Sequence, residues 1–432
     1  MKQLILVTCL LIAVICCPAL AGDWPQWRGP AFNGSTQESN LPDRLDATTQ
    51  AWAVDLPGHG AGTPIVAGDR VFIGSMDRKT QEVVALCLDL AGGKTLWRKV
   101  VGRGSAGNRM NDFASPSAMT DGKSVYYFFG TGDLAAYDLD GNPRWARNLQ
   151  KDHGNFNFQF IYGGTPLLYK GRLYVQVMHR ESPYGQTSYQ VRPESYLLCI
   201  DAETGTDLWK HIRPTEAQGE SKESYCTPIP YEGNGRSEIL LVGGDCATGH
   251  DPDTGRELWR CGGWNDHHEG NLRIVPSITV AADHFVVCSP KVRGFVFAIR
   301  PGGSGLVTGT HIAWKNTAVA SDVPTPLYYQ GNLYVLDGDF RKGLSCLDPA
   351  TGERKWFTPV ESRRVLRASP TGADGKIYFM NEGGDVWVVS AADGKVLSQA
   401  SLGSEGTARA SIAAARGMLL VRTGEKLHAF RK

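Results

Sequence analysis

The chain runs to 432 residues, and its 45 basic and 44 acidic side chains leave a formal net charge of +1. So even a balance offers no basic field for nucleic acid or anionic lipid, and small or neutral partners stay open. The length would ordinarily imply two or three domains, unless a repeat buries one continuous core.

In chain order, Lys2 precedes an apolar run over residues 4–17, and Ala19-Leu20-Ala21 places small residues at the two positions a signal peptidase reads. Residues 1–21 are therefore expected to be an export signal cleaved after Ala21. The run is short for a bilayer span and lacks a stop-transfer flank, so no membrane segment is expected in the mature chain. Ile15 ahead of Cys16 argues against a lipid anchor. A periplasmic or secreted location follows, with residues 22–49 as an N-terminal extension.

From residue 50 onward a repeat takes over. Inner strands are expected at Thr63-Pro64-Ile65-Val66, Ser115-Pro116-Ser117-Ala118, Thr165-Pro166-Leu167-Leu168, Thr227-Pro228-Ile229-Pro230, Val275-Pro276-Ser277-Ile278, Thr325-Pro326-Leu327-Tyr328 and Ser369-Pro370-Thr371. An eighth, degenerate copy begins near Ser411-Ile412. The second strand follows a Gly turn, as at Gly68, Gly171 and Gly331, and its alternating β-branched and aromatic residues read as hairpins. The best-preserved copies close on an acidic-Gly turn and a tryptophan, Asp201 to Trp209, Asp251 to Trp259 and Asp348 to Trp356.

The closing tryptophans are Trp97, Trp145, Trp209, Trp259, Trp314 and Trp356, with Leu397 or a neighbour in the seventh copy. Recurrence at one position assigns them to packing between blades, each indole N–H finding a carbonyl. The last copy stops at Lys426-Leu427-His428-Ala429-Phe430 without a turn or tryptophan. Residues 50–56, which include Trp52, have the pattern to supply its missing strand and hide an exposed edge. The expected fold is all-β: an eight-bladed propeller of four-stranded antiparallel blades over residues 50–432, closed by the N-terminal strand. Seven blades is the alternative if the last copy is only a cap.

Removing the leader leaves Cys87, Cys199, Cys226, Cys246, Cys261, Cys288 and Cys346, an odd set that cannot all pair. Cys87, Cys199 and Cys346 share one repeat position, two residues before the turn aspartate, which suits small buried hydrophobes. With no Cys-x-x-Cys present, zinc ribbons, thioredoxin-type redox pairs and c-type haem attachment are unsupported.

The repeats resemble the pyrroloquinoline-quinone-like β-propeller superfamily over residues 50–430. Asp23-Trp24-Pro25-Gln26-Trp27-Arg28-Gly29-Pro30 with Asn33-Gly34, and Ala298-Ile299-Arg300-Pro301-Gly302-Gly303-Ser304-Gly305, resemble exported propellers of planctomycete-type bacteria. The superfamily implies two directions. One is a binding scaffold, like the propeller subunit of the outer-membrane barrel-assembly machine. The other is a quinoprotein alcohol dehydrogenase, with a disulfide between adjacent cysteines above the quinone and a calcium ion held by acidic and amide side chains. Here the only adjacent cysteines, Cys16-Cys17, lie in the leader, so no cofactor is expected and pyrroloquinoline quinone with calcium is disfavoured.

Loops entering successive inner strands gather at one mouth of a propeller channel, and there a site is sought first. They carry His59; Asn108, Arg109, Asn111 and Asp112; His153, Asn155 and Asn157; Glu223 and Ser224; Asp266, His267, His268 and Glu269; Asp322; Arg363, Arg364 and Arg367; and Glu405 and Arg409. An anionic or polyol ligand would be expected to bring Arg109, His153, His267 and Arg364 to one cavity. The Asp266 to Glu269 cluster suits a metal chemically, but adjacent histidines in extended chain diverge, and no metal site is assigned. Asp-rich turns such as Asp138 to Gly141 resemble calcium loops yet lack the later glutamate. Residues 302–305 lack a following Lys-Ser/Thr and are read as a hairpin extension within the fifth blade. The function expected is a monomeric, exported, non-catalytic scaffold for protein or extracellular polymer partners. The alternative is a quinoprotein-type or other periplasmic enzyme acting on a small alcohol or sugar.

Overall fold

The computed structural model describes residues 22–104, 111–181, 194–290, 294–404 and 406–432, and the expected leader lies outside them. Their strands form eight sheets, each with four antiparallel strands, arranged as the blades of a propeller. Blade 1 shows the pattern with β1 (Ile65–Ala67), β2 (Arg70–Asp77), β3 (Glu82–Asp89) and β4 (Thr95–Arg103), paired in that order. The interiors of β2 and β3 are buried continuously, whereas β4 alternates exposed and half-buried residues. A strand covered on both faces by neighbouring blades reads as an unbroken apolar run, here Val83 to Leu88. No helix of the described residues is long and apolar enough to cross a membrane.

The ring closes with Gln50–Asp55 antiparallel to Lys426–Phe430, and Trp52 stands opposite Ala429. The eighth blade thus takes three strands from the C-terminal end and its outermost from the start of the propeller, as the sequence predicts.

Inside the ring, one hydroxyl per blade forms a belt. The backbone N–H groups of Thr63, Ser117, Thr165, Thr227, Ser277 and Thr325 each donate to the hydroxyl of the next blade, ending at Ser369, and that of Ser411 donates to Thr63. These bonds are 2.8–3.1 Å long. The innermost strand begins two residues after the belt hydroxyl in every blade, for example at Ile65, Met119 and Thr279. Blades 2 and 5 are therefore framed differently from the sequence expectation. Their equivalents of Thr165 are Ser117 and Ser277, not Ser115 and Val275, and the proline precedes the hydroxyl instead of following it. The acceptor for the neighbouring buried N–H fixes this position, because that donor has no other partner available.

At six joints an indole lies on the turn glycine of the following blade. Gly205 has φ +74, and a Cβ there would fall 2.5 Å from Trp145, so backbone and packing both require glycine. Trp52, Trp97, Trp209, Trp314 and Trp356 meet Gly93, Gly141, Gly255, Gly352 and Gly394 in the same way. Trp52, Trp97, Trp145 and Trp314 donate to carbonyls of Leu90, Leu139, Ala202 and Pro349 in the next blade at 2.9–3.0 Å. Cys87, Cys199 and Cys346 stand directly across from Trp97, Trp209 and Trp356, where a small residue leaves room for the indole. All seven described cysteines are buried and unpaired, and burial pushes the Cys87 and Cys199 thiols up to about 12.

The joint between blades 4 and 5 departs from this pattern. Trp259 donates to Glu238 of its own blade and stacks on Phe285 of blade 5, with centroids 5.6 Å apart and planes at 10°. Glu238 is wholly buried and pairs with Arg236 at 2.6 Å. Gly305–Leu306 runs parallel beside Glu257–Cys261 as a fifth strand of blade 4. The glycine-rich segment is therefore not a hairpin extension within blade 5; it caps the neighbouring edge, where the acidic-Gly turn of the other blades is missing. Trp209 also differs from the expectation, since its buried Nε1 has no hydrogen-bond partner among the described residues.

Candidate functional site

The N-terminal extension crosses the channel on one side of the belt. Trp24 bridges to Val66 and the Pro25 carbonyl accepts from the Thr120 N–H, while Ser35 bridges to Gly372 on blade 7. Arg28, 1% exposed, donates to the carbonyls of Asn33, Pro326 and Pro370 at 2.6–2.9 Å. Apart from Asn33 of the extension itself, these partners lie one to three residues past the belt, so the segment closes the channel there and Trp27 forms the floor of a cup above it. The cup has a volume of about 160 Å³.

Its wall follows a rule of position. Two residues before the belt hydroxyl, every blade contributes a lining residue: Ala61, Ser115, Gly163, Tyr225, Val275, Val323, Arg367 and Arg409. Asn111, Phe160 and Arg273 add to the rim. The three arginines are held from behind. Arg367 and Arg409 place Nε 3.1 and 2.6 Å from Glu382 Oε1, and Arg273 lies 3.2 Å from Glu220 and 3.6 Å from Asp322. Tyr225 donates to Glu223, which also pairs with Arg180 and accepts from the Gln159 N–H at 3.1 Å. Burial pushes the Glu223 and Glu220 carboxyls up, against the pull of the Tyr225 hydroxyl and Arg180 in the first case and of Arg273 in the second.

Of the residues singled out from the sequence, Asn111, Arg367 and Arg409 line this cup. Glu223 and Asp322 stand behind the lining and hold Tyr225 and Arg273. His59 and Asp112 lie at the seam of blades 8, 1 and 2. There the His59 ring is 2.5 Å from Glu425, burial and Arg78 lower its pKa, and burial raises that of Asp112 despite Arg422. Asn157 is buried, its N–H donating to His179 at 3.2 Å. His153 ends a short helix, Leu149–His153, and faces Asp207 on the outermost strand of blade 3 at 3.1 Å. His267, His268 and Glu269 are exposed after blade 4, with His268 in an outer groove beside Asp245. Arg363 and Arg364 are exposed. Arg109, Asn108 and Glu405 lie outside the described residues.

His153, His267 and Arg364 are thus absent from the expected shared cavity, because loop proximity in sequence does not settle which residues turn to the axis. Arg273, Tyr225, Phe160 and Trp27 were missed. The offset of two from the belt hydroxyl would have found Tyr225; Arg273 sits four before Ser277 and Trp27 comes from outside the repeats.

The lining contains no Asp, Glu, His or Cys, and among the described residues no group of three or more such side chains could hold a metal. The carboxylates behind the wall already serve Arg180, Arg273, Arg367 and Arg409. This donor set does not fit a metal-bound quinone.

The molecule is a closed eight-bladed propeller with a blind axial cup. A family model described as "Outer membrane protein assembly factor BamB" matches residues 45–210 and 243–430, and the chain belongs to this family of pyrroloquinoline-quinone-like propellers. No curated protein sequence matches. Among solved structures, BamB from Moraxella catarrhalis superposes with TM-score 0.61 at 13% identity, covering 89% of this chain and 97% of that one. A europium-containing methanol dehydrogenase gives 0.68 at 14% identity over 94% and 90% of the two chains. Quinohemoprotein alcohol dehydrogenase from Comamonas testosteroni gives 0.66 at 14% identity over 95% and 80%. These likenesses establish the fold.

Proposed function

We propose that this protein is an exported, non-catalytic binding scaffold that engages a protein or extracellular polymer through the loops around the open end of its channel. The observation that carries the reading is the chemistry of the cup and its rim. Hydroxyls, an amide and guanidinium groups face the lumen, while carboxyls that could move a proton are locked into ion pairs behind them. Such a surface donates hydrogen bonds to oxygen-rich groups but offers no general base to a substrate. The family description, an outer membrane protein assembly factor, supports a protein partner in the cell envelope.

Two measurements test the reading. Cells lacking the protein should show reduced levels of folded outer-membrane β-barrels, restored by the wild-type chain. The purified protein, loaded with quinone and calcium, should neither gain thermal stability nor oxidise alcohols or sugars with a dye acceptor. Dye-linked turnover would replace the scaffold with the enzyme alternative.

A further inference from the structure

In blade 4 a two-residue turn, Gly244 and Asp245, joins Arg236–Gly243 to Cys246–His250. Their φ angles of +56 and +60 are the left-handed pair that so tight a hairpin demands. The turn is held by the Thr215 hydroxyl, which donates to the Gly244 carbonyl at 2.6 Å. Asp245 thereby lines a groove of about 660 Å³ on the outer side of the blade, which shares no lining residue with the cup. Asn265, 7% exposed, fixes the carboxylate by donating to Oδ2 at 2.8 Å. The other oxygen, Oδ1, is buried and has no hydrogen-bond partner. Burial pushes this carboxyl up to about 6, against the pull of Asn265 and His268, so it is ionised at neutral pH. A carboxylate oxygen withdrawn from water is costly unless a donor meets it. The groove's own guanidinium is not that donor, because Arg260 is spent on Glu257 and the Pro214 carbonyl. Glu216 and Asp266 add further negative charge. Among the described residues no group of three or more such side chains could hold a metal, so the counter-ion called for is organic. Leu306, 77% exposed, stands in the same groove on the added strand that blade 4 alone carries. With Pro214 and Ala217 it offers apolar contact to an aliphatic stem.

We propose that this groove binds a primary alkylammonium, one N–H meeting Asp245 Oδ1 and the stem lying on Leu306. An ammonium suits the site better than a guanidinium. Asn265 already occupies Oδ2, which denies a planar fork its second oxygen, whereas an ammonium turns any of three donors to the one that remains. The inference goes beyond the scaffold reading and does not rest on it, since a free amine fills the groove without any protein partner. The same chemistry belongs to a free aliphatic amine and to a lysine side chain.

The test uses the whole mature protein and pentylammonium, followed by calorimetry and ligand-observed NMR. Binding is expected, with pentyltrimethylammonium weaker by about tenfold or more, because it keeps the charge and the stem but has no N–H to donate. D245N should weaken pentylammonium by a similar factor while the thermal transition stays in place. L306S serves if D245N fails to fold, since so exposed a side chain contributes little to stability. Affinity should climb from methylammonium to pentylammonium in the wild type and stay level in L306S. A blocked pentapeptide with one central lysine, compared with 1,5-diaminopentane, separates the sources. Tighter binding of the peptide assigns the groove to a lysine side chain, and the reverse assigns it to a free amine. Equal affinity for the trimethylated probe, unchanged affinity in D245N, a chain-length dependence that persists in L306S, or no amine binding by the folded protein overturns the proposal.

Discussion

At the blade joints the repeat returns one solution, an indole on a left-handed glycine at six places, whereas two residues before the belt it returns Ala61, Ser115, Gly163, Tyr225, Val275, Val323, Arg367 and Arg409. Both positions occur once per blade, and the difference lies in what they touch. A joint residue packs against the next copy of the same repeat, so identical surroundings select an identical pair. A lumen residue faces open space shared by all blades and is constrained only by what occupies that space. Where a repeat stops repeating is therefore where binding chemistry is to be sought. The joint between blades 4 and 5 qualifies the point: it too is irregular, yet Trp259, Glu238 and the added strand at Gly305–Leu306 restore packing there and leave no lumen.

The comparison can be broken most severely at the ring closure. Deleting residues 50–56 removes the main-chain partners of Lys426–Phe430 together with Trp52, and should give aggregation or loss of the cooperative urea transition. A soluble truncation with an unchanged midpoint would refute closure by this strand. Next in size, Gly205→Ala should cost about 2–4 kcal/mol, as left-handed strain adds to overpacking on Trp145. Gly171→Ala, at φ +73 with nothing within 4 Å of its Cβ, isolates the strain alone and should cost about 1 kcal/mol. Equal urea midpoints for the two variants would deny the indole contact any role.

At the belt, Thr165→Val leaves the buried Ser117 N–H without its acceptor and should cost about 1–3 kcal/mol in urea unfolding. By contrast Val323→Ser, on the cup wall and half-buried, should shift stability by about 0.5 kcal/mol or less, marking the lumen as free of packing demands. A further expectation concerns pH. Burial lowers both His179 and His250 to about 4, so the unfolded chain binds these protons first. Stability from these two residues is complete above about pH 6.5 and falls as the pH drops toward 4. His250→Asn should flatten that decline in urea midpoints measured between pH 7 and 4.5, and an unaltered slope would place the titration elsewhere.

Much of this architecture was legible in the residues. The period, the Gly turns and the tryptophans specify a propeller, and a final copy ending at Phe430 without its turn demands a strand from residues 50–56. The belt was legible only in part, because proline drew the eye to Ser115 and Val275 while the hydrogen bond selects Ser117 and Ser277. The candidate site was less legible still. Loop position placed His153, His267 and Arg364 near the mouth, yet the first lies against Asp207 on the outermost strand of blade 3 and the others stay exposed in loops.

By itself, then, the sequence determined most of what repeats with the blade, since each copy meets the same neighbours and local pattern suffices wherever the proline keeps its place beside the belt hydroxyl. Only the tertiary structure decided the cup. Its floor comes from Trp27 in an extension that belongs to no repeat, and its arginines converge from blades far apart in the chain. Which side chains turn inward there depends on the angle at which eight sheets close around one axis, a property of the ring that no single copy encodes.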